Sequence, residues 1–244
     1  MIATTAFTAR NRKEILRDPV SIILGIGMPI SLLVMFSMIG KQVPNPSFRI
    51  ENFAPGMIVF AFTFVTMFIA TLIANDRQNA LLLRLFASPL TATQYVWGYA
   101  SSLFSLALLQ GMAGFVVAAL LGLPLSINIL VAIAVLIPTI FMSIFLGLVF
   151  GSLLGVRQLQ GLSGLYITVA ALLSGAWMPV EIMGSVLKTV AELLPFTHAV
   201  TAARFALAGD WQTLLPHFLW TMGYALLAGF LAVWAFQKLT RRNA

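Results

Sequence analysis

Long apolar runs separated by short polar breaks dominate this chain, and their spacing predicts six membrane-crossing helices. The runs cover about 19–39, 53–74, 95–121, 127–155, 159–177 and 214–236. At about 1.5 Å of rise per residue, roughly 20 residues cross the ~30 Å hydrocarbon layer. Asp18 followed by Pro19 supplies a cap and first-turn pair for the first run, and Pro29 lies within it. That run is long for the apolar region of a signal peptide, and no small-residue cleavage site follows it in 41–46. Gly122, Leu123 and Pro124 form a tight turn between the third and fourth runs, and Arg157 marks a very short connection to the fifth. Residues 178–213 hold two segments too short to cross, split by Pro195, and are expected to lie in or dip into the outer leaflet. The pattern predicts an all-α integral membrane protein, with 1–244 as a single transmembrane domain.

Two polar stretches carry a helical period of their own. In 3–17, Arg10, Lys13, Glu14 and Arg17 cluster on one face of an amphipathic helix preceding the first span. In 75–90, a helix places Arg77 and Arg84 within about 20° of each other, with Leu82, Leu83 and Phe86 on the far side. Such a helix either lies on lipid or is gripped by a soluble partner. Six spans put both termini on one side. That side, comprising the N-terminus, the 75–94 loop, Arg157 and the C-terminus, holds ten of the fourteen Lys and Arg residues, and the other holds Lys41, Arg49, Lys188 and Arg204. The positive-inside bias therefore predicts cytoplasmic termini and a cytoplasmic 75–90 segment.

Composition agrees with a membrane protein: 60% of residues are hydrophobic and 9% charged, against about 25% charged in soluble domains. The net charge of +7 sits beside the ends of apolar runs, so it argues for orientation in a bilayer and against a nucleic-acid partner. No cysteine is present, which removes thiolate metal sites and disulfides. The spans carry no Asp, Glu, Lys or Arg away from their ends, against both intramembrane hydrolysis and proton-coupled transport. His198 and His217 read as interfacial polar residues rather than ligands or bases, and no metal site is expected. The aromatic trio Tyr95, Trp97 and Tyr99 reads as interfacial anchors of the third span. Gly147, Gly151 and Gly155 recur every four residues and offer bare patches for close helix packing. No phosphate-binding loop is present: Gly40 and Lys41 come nearest, with Met35 and Gln42 at the wrong places. Energy for transport would have to come from a separate ATPase.

Three features together resemble the permease subunits of ABC-2 exporters. They are the D-R-x-x-x-x-L-x-R-L-x-x-S-P stretch from Asp76 to Pro89, a basic amphipathic helix ahead of six spans, and S-G-x-x-M-P from Ser174 to Pro179 followed by L-L-P-F-T-H-A-V. Members of that family commonly have Glu and Gly in the first motif where Asp76 and Asn79 stand here. The resemblance implies an inner-membrane homodimer that exports cargo and docks a soluble ABC ATPase, which binds ATP and Mg, while this chain holds no cofactor and no catalytic site. It implies that Asp76, Arg77, Leu82, Leu83, Arg84, Phe86, Ser88 and Pro89 form the coupling helix seated in the ATPase, with residues 3–17 as the interfacial helix beside it. A candidate cargo path is lined by Met28, Met35, Phe36, Phe64, Met67 and Phe68, surfaces that suit an amphipathic drug, lipid or glycan. Two other readings stand beside it: a stand-alone secondary carrier or channel, which predicts function without a nucleotide-binding partner, and a membrane scaffold or regulator that only docks one.

Overall fold

A computed structural model describes residues 8, 19–42, 49–78 and 91–243. No strand occurs among the described residues. The helices are α1 (Pro19–Gly40), α2 (Ile50–Gln78), α3 (Ala92–Leu120), α4 (Ile127–Val135), α5 (Ile137–Leu153), α6 (Val156–Leu173), a 3-10 turn (Val180–Ile182), α7 (Ser185–Leu193), α8 (Pro195–Ala208) and α9 (Trp211–Asn243). Four stretches are long and apolar enough to cross a membrane: α2, α3, the α4–α5 pair taken together as Ile127–Leu153, and α9 over Trp211–Thr240.

The helix ends follow from local chemistry. Thr91 caps α3 reciprocally, its hydroxyl accepting from the Gln94 N–H while the Gln94 side-chain oxygen accepts from the Thr91 N–H. At the other end Gly122 adopts φ 115°, and Leu123 N–H reaches back to the Ala118 carbonyl, closing the turn before Pro124. The fourth apolar run is two helices meeting at Leu136, because Pro138 has no N–H to continue the ladder and starts α5 instead. Asp210 caps α9 through Thr213, after Gly209 has ended α8 in the left-handed region at φ 76°.

The core is organised around α2, of whose most apolar stretch 78% is buried, against 28% for α9. It touches α1, α3, α5, α6 and α8, and its longest contact is with α5. Glycines set that contact. A Cβ on Gly147 would stand 2.6 Å from the Thr66 carbonyl oxygen, and one on Gly151 would stand 2.6 Å from that of Ala70. Gly155 lies outside this seam: it is the N-cap of α6, with nothing but the Gln158 side chain nearby. The predicted stripe of three glycines is thus a pair, since α5 ends at Leu153. α5 also packs against α9, where Gly229 faces the Phe145 ring; Ala225, Ala228, Ala232 and Ala235 of α9 are buried, while Leu226, Phe230 and Trp234 are exposed. Two polar side chains inside the bundle close on backbone carbonyls. Gln110 donates to Gly25 and Ala61, tying α3 to α1 and α2, and Thr66 donates to Ser143 on α5.

Candidate functional site

The two helices that flank the 79–90 segment end in fixed positions. α2 extends four residues beyond its expected end at 74, so Asp76 and Arg77 belong to its last turns. Asp76 is buried, and the Tyr99 hydroxyl on α3 donates to its carboxylate. Arg77 is half-buried and donates to the carbonyls of Gly151, Ser152 and Leu154 at 3.0, 2.9 and 3.1 Å. These are orphan acceptors at the C-terminus of α5, where a cation also complements the helix dipole. Of the pair expected to share an edge, Arg77 is engaged by α5 because the α2 helix carries it inward. Leu82, Leu83, Arg84, Phe86, Ser88 and Pro89 lie outside the described residues.

Tyr95 and Tyr99 depart from their expected role as interfacial anchors. Both are fully buried; Tyr95 stacks on Phe236 of α9 at 3.7 Å between centroids and packs edge-on against Tyr99. Trp97, between them, is 51% exposed. Thr8 meets this end too, since the Ser102 hydroxyl donates to the Thr8 carbonyl and the Thr8 hydroxyl to that of Gly98. Arg10, Lys13, Glu14 and Arg17 lie outside the described residues.

At the opposite end, the S-G-A-W-M-P stretch turns sharply after α6, with Gly175 at φ 70°. Ala176 sits so tightly on Gly56 of α2 that a Cβ there would lie 2.7 Å from its Cα. Arg204 of α8 clamps the turn, its Nε donating to the Asn52 carbonyl and its Nη2 to that of Gly175, both at 2.8 Å. A cavity of about 160 Å³ lies between them, lined by Asn52, Gly175, Ala176, Trp177, Met178, Pro179 and Arg204.

The candidate path residues do not form one surface within the single chain. Met28 and Met35 are exposed on α1, while Phe36 packs against Phe53 and edge-on against Trp177. Phe64 and Phe68 are half-buried one turn apart on α2, and Met67 is buried. Sequence reasoning missed Arg204, Trp177 and Gln110 as framework residues. A lone glutamine inside an apolar run was the one available signal, because a buried amide in a membrane helix needs partners.

The profile of the ABC-2 type transporter family matches residues 3–208. The chain belongs to the ABC-2 type transporter family. No curated protein matches it. An ABC-2 chain is a multi-pass transmembrane permease component of ABC transport and is not itself catalytic; the family generally works with an ATP-binding subunit. The match spans the Asp76 and Arg77 end, the S-G-A-W-M-P turn and the Arg204 clamp, so each lies within the ABC-2 part of the chain.

Proposed function

We propose that this permease is the transmembrane half of an ATP-driven exporter in the inner membrane. Two copies form a translocation path between them, with α1 and α6 as further crossings that bring the total to six. A separate ATPase pair binds ATP and Mg and grips the 79–90 segment through Leu82, Leu83, Arg84, Phe86, Ser88 and Pro89. The basic helix of 3–17 lies beside that grip. The cargo is an amphipathic drug, lipid or glycan, met along Met28, Met35 and the Phe64 to Phe68 face as the two copies part.

One observation carries this reading beyond family membership: both ends of the gripped segment are bolted to the bundle. Arg77 ties the end of α2 to α5, Asp76 ties it to Tyr99 on α3, and the Thr91 and Gln94 box fixes the start of α3. Tyr95 carries the linkage on to α9. A push on 79–90 is therefore delivered to four helices at once, as rigid-body motion requires.

The deciding experiment is Arg84→Glu in membranes that contain the native ATPase. We expect cargo-dependent ATP hydrolysis to fall at least about tenfold, the cost of a lost charged interface contact, with insertion and yield unchanged. Full coupling in this variant would overturn the assignment of 79–90.

A further inference from the structure

The only two histidines of the chain meet at the corner between α8 and α9, Nδ1 to Nδ1, at 2.7 Å. His198 Nε2 lies 2.8 Å from the Glu192 backbone carbonyl oxygen. A carbonyl only accepts, so His198 carries its proton on Nε2 and, when neutral, turns a lone pair on Nδ1 toward His217. The proton that bridges the rings then belongs to His217 Nδ1. Neighbouring rings hold the planes: Phe205 stacks parallel to His217, and Trp220 stands 5.2 Å from His198. Both histidines remain half-exposed, His217 in the second turn of α9.

An imidazole lone pair with the opposite N–H anchored on a carbonyl is the arrangement a metal-binding histidine adopts, because the anchor fixes tautomer and ring direction. We propose that His198 and His217 form a site for one borderline divalent transition-metal ion of the Cu²⁺, Ni²⁺ and Zn²⁺ class, held by the two Nδ1 atoms where the bridging proton now sits. His217 accommodates the ion by changing tautomer, its proton passing through solvent from Nδ1 to Nε2, so the neutral pair releases no net proton. Metal–nitrogen bonds of about 2.0–2.1 Å at a tetrahedral angle need the nitrogens roughly 3.3 Å apart, a small parting of two partly exposed rings. No third His, Cys, Asp or Glu joins them among the described residues, so water completes the shell and the ion exchanges readily. The Glu192 carboxylate is engaged with Lys188 at 3.7 Å. Bound metal would link α8, the helix that carries Arg204, to α9 and, through Glu192, to the end of α7.

With no cysteine and no other histidine in the chain, any imidazole-bound ion reports on this pair alone. The test uses the full chain, purified without a polyhistidine tag and titrated calorimetrically with CuCl₂, NiCl₂ and, as a hard-ion control, MgCl₂. One Cu²⁺ or Ni²⁺ per chain is expected, with no Mg²⁺ uptake and loss of the site in both His198→Gln and His217→Gln. Electron paramagnetic resonance of the Cu²⁺-loaded unmodified chain should show two coordinated imidazole nitrogens, a readout that needs no variant to fold. A spectrum with one or no nitrogen ligand, or unchanged uptake in His217→Gln, would overturn the site.

Discussion

Arg77 shows how one side chain can close a helix that belongs to another element. Its three hydrogen bonds satisfy carbonyls at the end of α5 that no helical N–H can reach. Arg77→Ala leaves those acceptors without their donor and should cost about 1–3 kcal/mol. Thermal unfolding of the purified chain should show this as a lower midpoint, with Arg77→Lys recovering part of it because a single ammonium serves fewer carbonyls. Asp210 makes a smaller, pH-dependent contribution. The Thr213 hydroxyl, then the Thr213 backbone N–H, hold its carboxyl below the usual carboxylate range. Its cap is therefore fully formed above the unfolded carboxylate pKa of about 3.9 and is lost as pH falls through the lower folded value. Hydrogen exchange at amides 211–214 should be faster in Asp210→Ala than in the unmodified chain at neutral pH, and the difference should shrink under acid conditions. A difference that persists unchanged in acid would assign the cap to something other than the carboxylate.

The α2–α5 seam makes a prediction with its own internal control. An added methyl on Gly151 meets the Ala70 oxygen at 2.6 Å and Ile73 Cβ at 2.8 Å, backbone and branched neighbours that have no room to move. Gly151→Ala should therefore destabilise by roughly 1–3 kcal/mol through overpacking. Gly161 on α6 meets nothing within 4 Å, so Gly161→Ala should be neutral or raise stability by about 0.5–1 kcal/mol through helix propensity. Equal melting shifts in the two variants would refute the seam. The same elements mark how far the sequence could be read. Four long apolar runs were legible because bilayer thickness dictates their length, and the Gly122 and Pro195 breaks because a left-handed glycine and a proline without an N–H interrupt a helix. Gly155 was misplaced because four-residue spacing does not reveal where a helix stops. Tyr95 and Tyr99 were misread because an aromatic at the head of a span looks the same in sequence whether it faces headgroups or, as here, a buried Asp76 and Phe236. Arg77 looked like a surface cation because its partners are carbonyls, which periodicity does not reveal.

Direction of travel through the bundle bears on the whole molecule. The ends of α2 and α5 lie together at Arg77, and the start of α3 meets the end of α9 at Tyr95 and Phe236; these pairs share one end because Asp76 bonds Tyr99. Gly175 and the start of α2 meet Arg204 at the other end. α6 therefore starts beside Arg77 and finishes beside Asn52, and α1 finishes beside Phe53 and Trp177. α6 runs between the two ends of the bundle, although it is more polar than the four clear spans, while α1 is shorter in its apolar stretch and passes Gln110 at Gly25. If both cross the bilayer, Asn75 faces the cytoplasm and Val186 on α7 faces outward, and each is exposed. The chain has no cysteine to confuse the assay. In intact cells, a membrane-impermeant maleimide should label Val186→Cys but label Asn75→Cys only after permeabilisation. Labelling of both positions from outside would mean an even number of crossings between them, and reversed labelling would mean that the basic end of the bundle faces out against the positive-inside bias. Either result would remove the cytoplasmic placement on which an ATPase grip at 79–90 depends, while leaving the packing around α2 intact.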